Sequence, residues 1–324
     1  MTIGNKNIYF EVCRPGTNTT IQDQGRNHLY HLGITVSGAV DQKNFKLSNL
    51  ILKNNINEGV IEFAFQGPLL KLHNGKVAVC IAGDVIFDVI RNNSNLEKGN
   101  CYQIYCLNHG DQIDIKSTNN SLYGYLAIKD GFNFKKNWNS CSINTKAGIG
   151  PNNGKKFSIG EKIFIKNEFN DSLKVRQLRY KNSREKIIRV IKGTNFNFFS
   201  EKSKKIFFTE PFKITNLVDR MGVRLSGPEL ENIVNTNIKS EGIIKGNIQV
   251  PADGNPIIML ADHGTIGGYP KIATVISADL DNLAQLMPNS EVTFKEVNLE
   301  EAEELYKKYL NEIDKYAEIL NEFN

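Results

Sequence analysis

Apolar residues in this chain arrive in packets the length of a β-strand. Val77-Ala-Val-Cys-Ile-Ala82 stops at Gly83-Asp84, Tyr102-Gln-Ile-Tyr-Cys-Leu107 stops at a turn over 108–111, and Tyr123-Gly-Tyr-Leu-Ala-Ile128 stops at Asp130-Gly131. Each packet is rich in β-branched or aromatic residues, which suit a pleated surface. Each is bounded by Gly, Asn or Asp, which supply turn conformations. The regular alternation of strand and helix that a doubly wound parallel sheet requires is missing. The pattern predicts a mostly β chain, folded as sandwiches or barrels.

A second series of packets begins at Lys186-Ile-Ile-Arg-Val-Ile191, after a polar, Asn-rich stretch over 167–184. The length, 324 residues, suits two ordinary domains. We therefore expect a first β domain over 1–175, a second over 176–297, and a C-terminal amphipathic helix over 298–324. Three helices stand out. The first runs over about 41–54 with Asp41 as N-cap. The second is opened by Asp279 and runs to about 287. The third starts at Asn298, where Asn298-x-x-Glu301 has the spacing of a capping box. Leu299, Leu305, Tyr309, Ile313 and Leu320 then recur at helical spacing, and Glu300, Glu301, Glu303 and Glu304 favour its positive end. Such a helix either packs on its own domain or binds a partner.

Composition excludes several classes. Hydrophobic residues make up 40% and charged residues 23%, which suits a folded protein. The net charge of +5 comes from scattered lysines and arginines, with no basic stripe interleaved with aromatics, so nucleic acid is not expected. The five cysteines, at 13, 80, 101, 106 and 141, form no C-x-x-C pair and have no histidine at ligand spacing. They read as small semi-buried residues in a reducing compartment, and no metal site is expected. No apolar run approaches the ~18 residues of a membrane span, and a cytoplasmic location follows as the expectation.

Two blocks look unlike scaffold. In Thr19-Thr-Ile-Gln-Asp-Gln-Gly-Arg26, continued by Ser37-Gly-Ala-Val-Asp41, polar groups crowd between glycines that permit tight turns. Gln22, Asp23, Arg26 and Asp41 are its candidate substrate-binding residues. Asp23 and Arg26 pairing within a loop, and Asp41 acting as a helix cap, are the plainer alternatives. The second block runs from Ser240 to Lys271. Pro251-Ala-Asp-Gly254 is a turn by composition, flanked by Ile248-Gln-Val250 and Ile257-Ile-Met-Leu-Ala261 as the strands of a hairpin. The hairpin delivers Asp262 and His263 to one end. Gly264, Gly267 and Gly268 then let the chain wrap a ligand before Tyr269 and Lys271. Asp262, His263 and Lys271 are the candidate catalytic residues, with Gln249 and Tyr269 binding substrate. A hydrogen-bonded structural histidine and a packed tyrosine remain open for His263 and Tyr269. Between the blocks, Asp219-Arg-Met-Gly-Val-Arg224 offers Arg220 and Arg224 to an anionic group, or to a surface pair with Asp219. The chain lacks a phosphate-binding G-x-x-x-x-G-K-[ST] loop, a dinucleotide fingerprint and a G-x-S-x-G elbow. ATP or a nucleophile, if needed, is expected from another subunit.

The segments TTIQDQGR, SGAVD, RMGVRLSGP, SEGIIKGNIQVPADGNPI and DHGTIGGYPKIATVISADL occur in that order, and over about residues 8–297 the chain resembles the biotin-dependent carboxyltransferase, or allophanate hydrolase subunit 2, family. The chain departs from the family pattern where Asn27-His28 follows the QDQGR motif, where Asp130-Gly131 follows the YLA strand, and where Asn139-Ser-Cys-Ser-Ile143 stands for a G-S-x-S-T-like stretch. The resemblance implies two cyclophilin-like β-barrel domains. It implies partners, 5-oxoprolinase subunits B and A, in a complex that uses ATP to open 5-oxoproline to glutamate. Arg26, Arg224 or Lys271 would then be electrostatic partners of the lactam oxygen, with Asp262 or His263 handling or orienting protons. Two alternatives follow from the same resemblance: carboxyl transfer from carboxybiotin to urea or a similar amide, with biotin on a separate carrier, and a non-catalytic role binding a subunit-B-like partner.

Overall fold

The structure, a computed structural model, describes residues 7–169, 177–234 and 237–322. The chain is mostly β, with four helices among the described residues: α1 Gln42–Ile51, α2 Glu201–Thr209, α3 Leu280–Gln285 and α4 Leu299–Glu322. It clusters into two compact units. The first takes 1–26, 42–182 and 315–324; the second takes 27–41 and 183–314. The expected boundary at 175/176 falls in 170–176, outside the described residues.

The first unit holds two antiparallel sheets. One has six strands in the order Lys162–Phe164, Tyr9–Arg14, Leu69–His73, Gln112–Thr118, Val85–Ile90 and Leu96–Lys98. The other has five, in the order Thr20–Gln22, Val60–Ala64, Tyr123–Ile128, Lys76–Ala82 and Ile104–Asn108. Phe10, Leu70 and Ile113 from the first sheet and Phe63, Val79, Ile81 and Leu126 from the second form one buried cluster. Tyr123–Ile128 is buried at every position because α1 packs on these strands. A strand covered on both faces reads as a continuous apolar run rather than an alternating one, which explains the packets at 77–82 and 123–128, whereas the strand of the 102–107 packet lies at the sheet edge with Cys106 exposed.

The second unit is a closed barrel of seven strands: Ile187–Lys192, Lys271–Val275, Asn247–Gln249, Ile257–Met259, Gly222–Ser226, Phe212–Val218 and Glu291–Glu296. Parallel pairing of Glu291–Glu296 with Ile187–Lys192 closes it. The expected hairpin is present, with Ile248 opposite Ile258 and Gln249 opposite Ile257. A two-stranded ribbon, Glu241–Gly242 with Ile266–Gly267, stands apart from the barrel ladder. Phe207 of α2 stacks on Phe294 at 4.5 Å between centroids. That helix had no sequence expectation, although Ser200 caps it by accepting from the Ser203 N–H at 3.2 Å.

Helix starts differ in detail from the sequence reading. The Asn298 side chain accepts from the Glu301 N–H at 2.8 Å, as a cap should. Asp279 does not cap α3. Its carboxylate instead accepts from the Arg189 backbone N–H at 2.7 Å and from Arg189 Nε at 3.0 Å, because a fixed guanidinium outcompetes a lone helix amide. No helix among the described residues is long and apolar enough to cross a membrane. The five cysteines are free thiols; burial pushes Cys101 up to about 11, and Cys80 and Cys141 also rise on burial.

Candidate functional site

The residues singled out by sequence fall into three places. Gln22, Asp23 and Arg26 lie in the first unit and are all almost fully buried. Gly25, at φ +95, makes the turn that only glycine takes without strain. Asp23 then faces the loop over 140–143. Its Oδ1 accepts from Ser140 Oγ and Ser142 Oγ, both at 2.6 Å, and from the Gly25 N–H at 2.8 Å. Its Oδ2 accepts from the Cys141 N–H at 2.7 Å. Gln22 Nε2 donates to the Ile143 carbonyl at 2.8 Å, and an Arg26 guanidinium nitrogen donates to the Ser142 carbonyl. The Asn139–Ile143 stretch, one of the places where the chain departs from the pattern it resembles, thus supplies the two hydroxyls that hold Asp23. These three side chains fasten one loop to another.

The second unit gathers most of the others. Arg220 and Asp262 form a two-point ion pair, Nε to Oδ2 at 2.8 Å and the terminal nitrogen to Oδ1 at 3.0 Å. The same nitrogen donates to the Gly38 carbonyl at 2.8 Å. The Asp262 side chain is 3% exposed. A buried carboxylate of this kind survives because a planar fork of donors meets both oxygens. Arg220 does not turn to Asp219, whose Oδ1 instead accepts from the Met221 N–H at 2.7 Å.

His263 follows directly. Its Nδ1 lies 2.6 Å from the Gly264 carbonyl oxygen and its Nε2 lies 3.2 Å from the Tyr30 hydroxyl. A carbonyl oxygen accepts, so Nδ1 carries the proton. Burial holds the pKa of His263 below its ordinary value, and the Lys245 charge acts in the same direction against the raising effects of the Gly264 carbonyl and Asp262. The neutral ring therefore presents an Nε2 lone pair, and the Tyr30 O–H donates to it. Burial raises the Tyr30 pKa, so the phenol keeps its proton. Lys245 Nζ donates to the Val40 carbonyl at 2.9 Å, and Gln285 Nε2 donates to Asp41 Oδ2 at 2.7 Å. The segment 27–41 is thereby fastened to its own unit at Tyr30, Gly38, Val40 and Asp41.

The loop over 264–268 carries the chain from His263 to a second cluster. Lys271 Nζ pairs with Glu241, and the Lys271 N–H donates to Asn195 Oδ1 at 3.0 Å. The hydrogen bond from Lys271 lowers the Glu241 pKa. Gln249 Nε2 donates to the Tyr269 carbonyl at 3.2 Å. Gly267 packs closely here: a Cβ on it would lie 2.8 Å from Gln249 Nε2 and 2.4 Å from Ile243 Cδ1, so the ends of those side chains would have to shift. Tyr269 keeps 39% of its surface exposed.

Arg224 stands elsewhere. It points outward from the barrel, pairs with Asp253 at 3.2 Å, and lines an open groove of about 550 Å³ with Leu217, Met221 and Met259. Sequence reasoning did not single out Tyr30, Glu241, Lys245 or Asn195. Glu241 and Lys245 lie inside the quoted SEGIIKG run and were within reach. Tyr30 lies between blocks and Asn195 in an Asn- and Phe-rich run, with no local signal. Among the described residues, no group of three or more His, Cys, Asp or Glu side chains is placed to hold a metal ion.

The chemical capacity of the second unit lies in these side chains. A neutral imidazole supplies an acceptor, a lysine balanced by a glutamate supplies N–H donors, a second lysine supplies positive charge, and a buried ion pair fixes the backbone before the imidazole. A family model for the carboxyltransferase domain, subdomains A and B, matches residues 32–296. The chain is 30% identical to the C subunit of 5-oxoprolinase from Haemophilus influenzae, over 95% of this chain and 97% of that protein. It is also 30% identical to the C subunit of 5-oxoprolinase from Escherichia coli, over 90% of this chain and 92% of that protein. Among solved structures, the urea amidolyase of K. lactis matches 97% of this chain and 20% of its own, at a TM-score of 0.86 and 24% identity.

Proposed function

Since the chain belongs to the carboxyltransferase domain family, subdomains A and B, we propose that it is the C subunit of an ATP-dependent 5-oxoprolinase that opens 5-oxoproline to glutamate together with subunits B and A. The observation that carries this reading is near end-to-end similarity to two proteins named as the C subunit of 5-oxoprolinase, at 30% identity. ATP enters through the complex, as the chain has no phosphate-binding loop of its own.

The proposed substrate is a lactam, whose ring nitrogen and carbonyl are conjugated. Opening it draws charge onto the carbonyl oxygen and needs a proton at nitrogen. In this reading Lys271, buried and oriented by Glu241, meets the developing charge. Neutral His263, unprotonated at Nε2, accepts from the ring N–H and orients the lactam. The attacking water adds its oxygen to the carbonyl carbon and its proton goes to the leaving nitrogen, while Asp262, held by Arg220, orients the backbone that carries His263. Asp41, Gln249 and Tyr269 frame the substrate. The positions of Gln22, Asp23 and Arg26 favour a supporting role for them, and that of Arg224 a role outside this pocket.

Reconstitution tests the reading. The chain mixed with candidate A and B subunits should form glutamate from 5-oxoproline only with ATP present, and omission of this chain should abolish turnover. The carboxyltransferase family name favours a second reading, carboxyl transfer from carboxybiotin to urea or a related amide. Failure of 5-oxoproline turnover, with carboxylation of urea in the presence of a biotin carboxylase and its biotinylated carrier, would establish the second reading over the first.

A further inference from the structure

We propose that Tyr30 is a positioning residue for His263, and that its hydroxyl occupies the place an N–H donor of the bound substrate takes. This rests on the lactam reading above. Tyr30 belongs to none of the segments that resemble the family, yet the fold brings it to the one histidine among the candidate catalytic residues.

Imidazole has two ring nitrogens, and in the neutral form one donates while the other accepts. The Gly264 carbonyl, 2.6 Å from Nδ1, takes the donor. The remaining nitrogen, Nε2, has a single in-plane lone pair, and the Tyr30 hydroxyl is 3.2 Å from it. Tyr30 therefore does two things. It biases the ring toward the neutral tautomer that accepts at Nε2, and it fills that acceptor when no ligand is present. Tyr30 is 37% exposed, whereas His263 is 3% exposed. A molecule arriving from solvent meets the phenol first and reaches the imidazole by displacing it.

The kind of ligand group follows. A carbonyl or carboxylate oxygen cannot satisfy an unprotonated Nε2, because both are acceptors. An amide N–H can. Arg220, Lys245 and Lys271 can only donate, and each already meets an acceptor of its own unit, so His263 is the member of the set suited to a neutral donor. The groups facing His263 are Tyr30, Asp262 and Lys245. Of these, Asp262 is fixed on Arg220 and Lys245 on the Val40 carbonyl, which leaves Tyr30 as the exchangeable partner.

Two measurements test this. Ring-nitrogen NMR on the full chain reads the His263 tautomer and pKa without any substrate. In Tyr30→Phe, loss of the hydrogen bond to the neutral ring should raise the His263 pKa by roughly half to one unit. An unchanged pKa and an unchanged Nε2 signal would overturn the proposal. Calorimetry on the reconstituted complex then compares 5-oxoproline with N-methyl-5-oxoproline. The N–H compound should bind about tenfold more tightly, as expected for one hydrogen bond. In Tyr30→Phe it should bind several-fold more tightly still, because its competitor is gone. In His263→Ala the preference between the two compounds should fall below about twofold. A preference kept in His263→Ala means that the methyl group is rejected by shape elsewhere, and overturns the N–H assignment. Large loss of kcat in Tyr30→Phe at unchanged KM would make Tyr30 a reacting group and overturn its positioning role. If the pKa rises in Tyr30→Phe but neither compound binds the wild-type complex, the lactam reading and the N–H half fail together, while the hold of Tyr30 on His263 stands.

Discussion

Asp23 and Asp262 are both buried aspartates a short step beyond a strand end, and they are held in opposite ways. Asp23 accepts from two serine hydroxyls and two backbone amides. Asp262 meets the guanidinium of Arg220. The first arrangement leaves a negative charge stabilised by dipoles, and it ties the 140–143 loop to the 22–26 turn. The second cancels charge against charge and leaves the next residue, His263, to face a half-exposed phenol. Motifs of similar polarity thus yield a fastening in one unit and the wall of a candidate site in the other. The difference lies in what faces each carboxylate across more than a hundred residues of sequence in the first unit and 42 in the second.

The largest effects should come from taking one partner out of either arrangement. Arg220→Met leaves Asp262 buried without its counter-charge and should cost about 3–5 kcal/mol in urea unfolding. The double variant Arg220→Met with Asp262→Leu should recover most of that loss, since a buried pair replaced by apolar groups of similar volume is close to neutral. Recovered stability without recovered turnover would mark the pair as part of the site; recovery of both would make it scaffold.

Asp23→Asn should cost less, roughly 1–3 kcal/mol, because one carboxamide oxygen still accepts while its NH2 group meets donors. Activity per folded molecule should stay near the wild-type value. A well-folded Asp23→Asn protein with more than about a tenfold loss of turnover would break the contrast between the two aspartates.

A smaller effect is tied to pH. The folded-state pKa of His263 lies below its unfolded value, so the unfolded chain binds the extra proton more readily. The contribution of this group to stability is full above about pH 6.5, the ordinary histidine value, and falls as pH drops from there toward the folded pKa. His263→Gln should flatten that part of the stability–pH curve. An unchanged curve would mean that the ring is not held neutral. Arg224→Ala should have the smallest effect on stability, under about 1 kcal/mol, since both partners of the Arg224–Asp253 pair are solvent-exposed. Turnover per assembled complex should be unaffected, and loss of kcat at full complex assembly would return Arg224 to the substrate.

Local pattern was enough to read the strand packets, the hairpin at 248–261 and the amphipathic C-terminal helix, because each is set by periodicity and turn chemistry within a few residues. It was also enough to place the candidates Asp262, His263, Lys271 and Gln249 in one block, since a hairpin, its following loop and the start of the next strand carry them all. Pairing across long separations was not legible. Nothing near Arg220 points to Asp262, and the nearer Asp219 is a better guess on sequence alone. Nothing near Tyr30 points to His263, 233 positions away. Asp279 shows the same limit at a helix start, where composition suggests a cap and a distant arginine takes the carboxylate.

The placement of residues 27–41 with 183–314 has a consequence for how the molecule is made. The backbone passes from one unit to the other at 26/27, 41/42, 182/183 and 314/315, so no single cut yields two whole domains. During synthesis the segment that carries Tyr30 and Gly38 leaves the ribosome long before its barrel exists, and Gly38 must wait for Arg220, 182 residues later. Closing so long a loop is slow but adds little thermodynamic cost beyond that of a loop half its length. A fragment beginning at 183 would form its barrel strands without Tyr30, Gly38, Val40 or Asp41. Supplying a peptide over 27–41 in trans would show how much of the barrel's order depends on that early, waiting stretch.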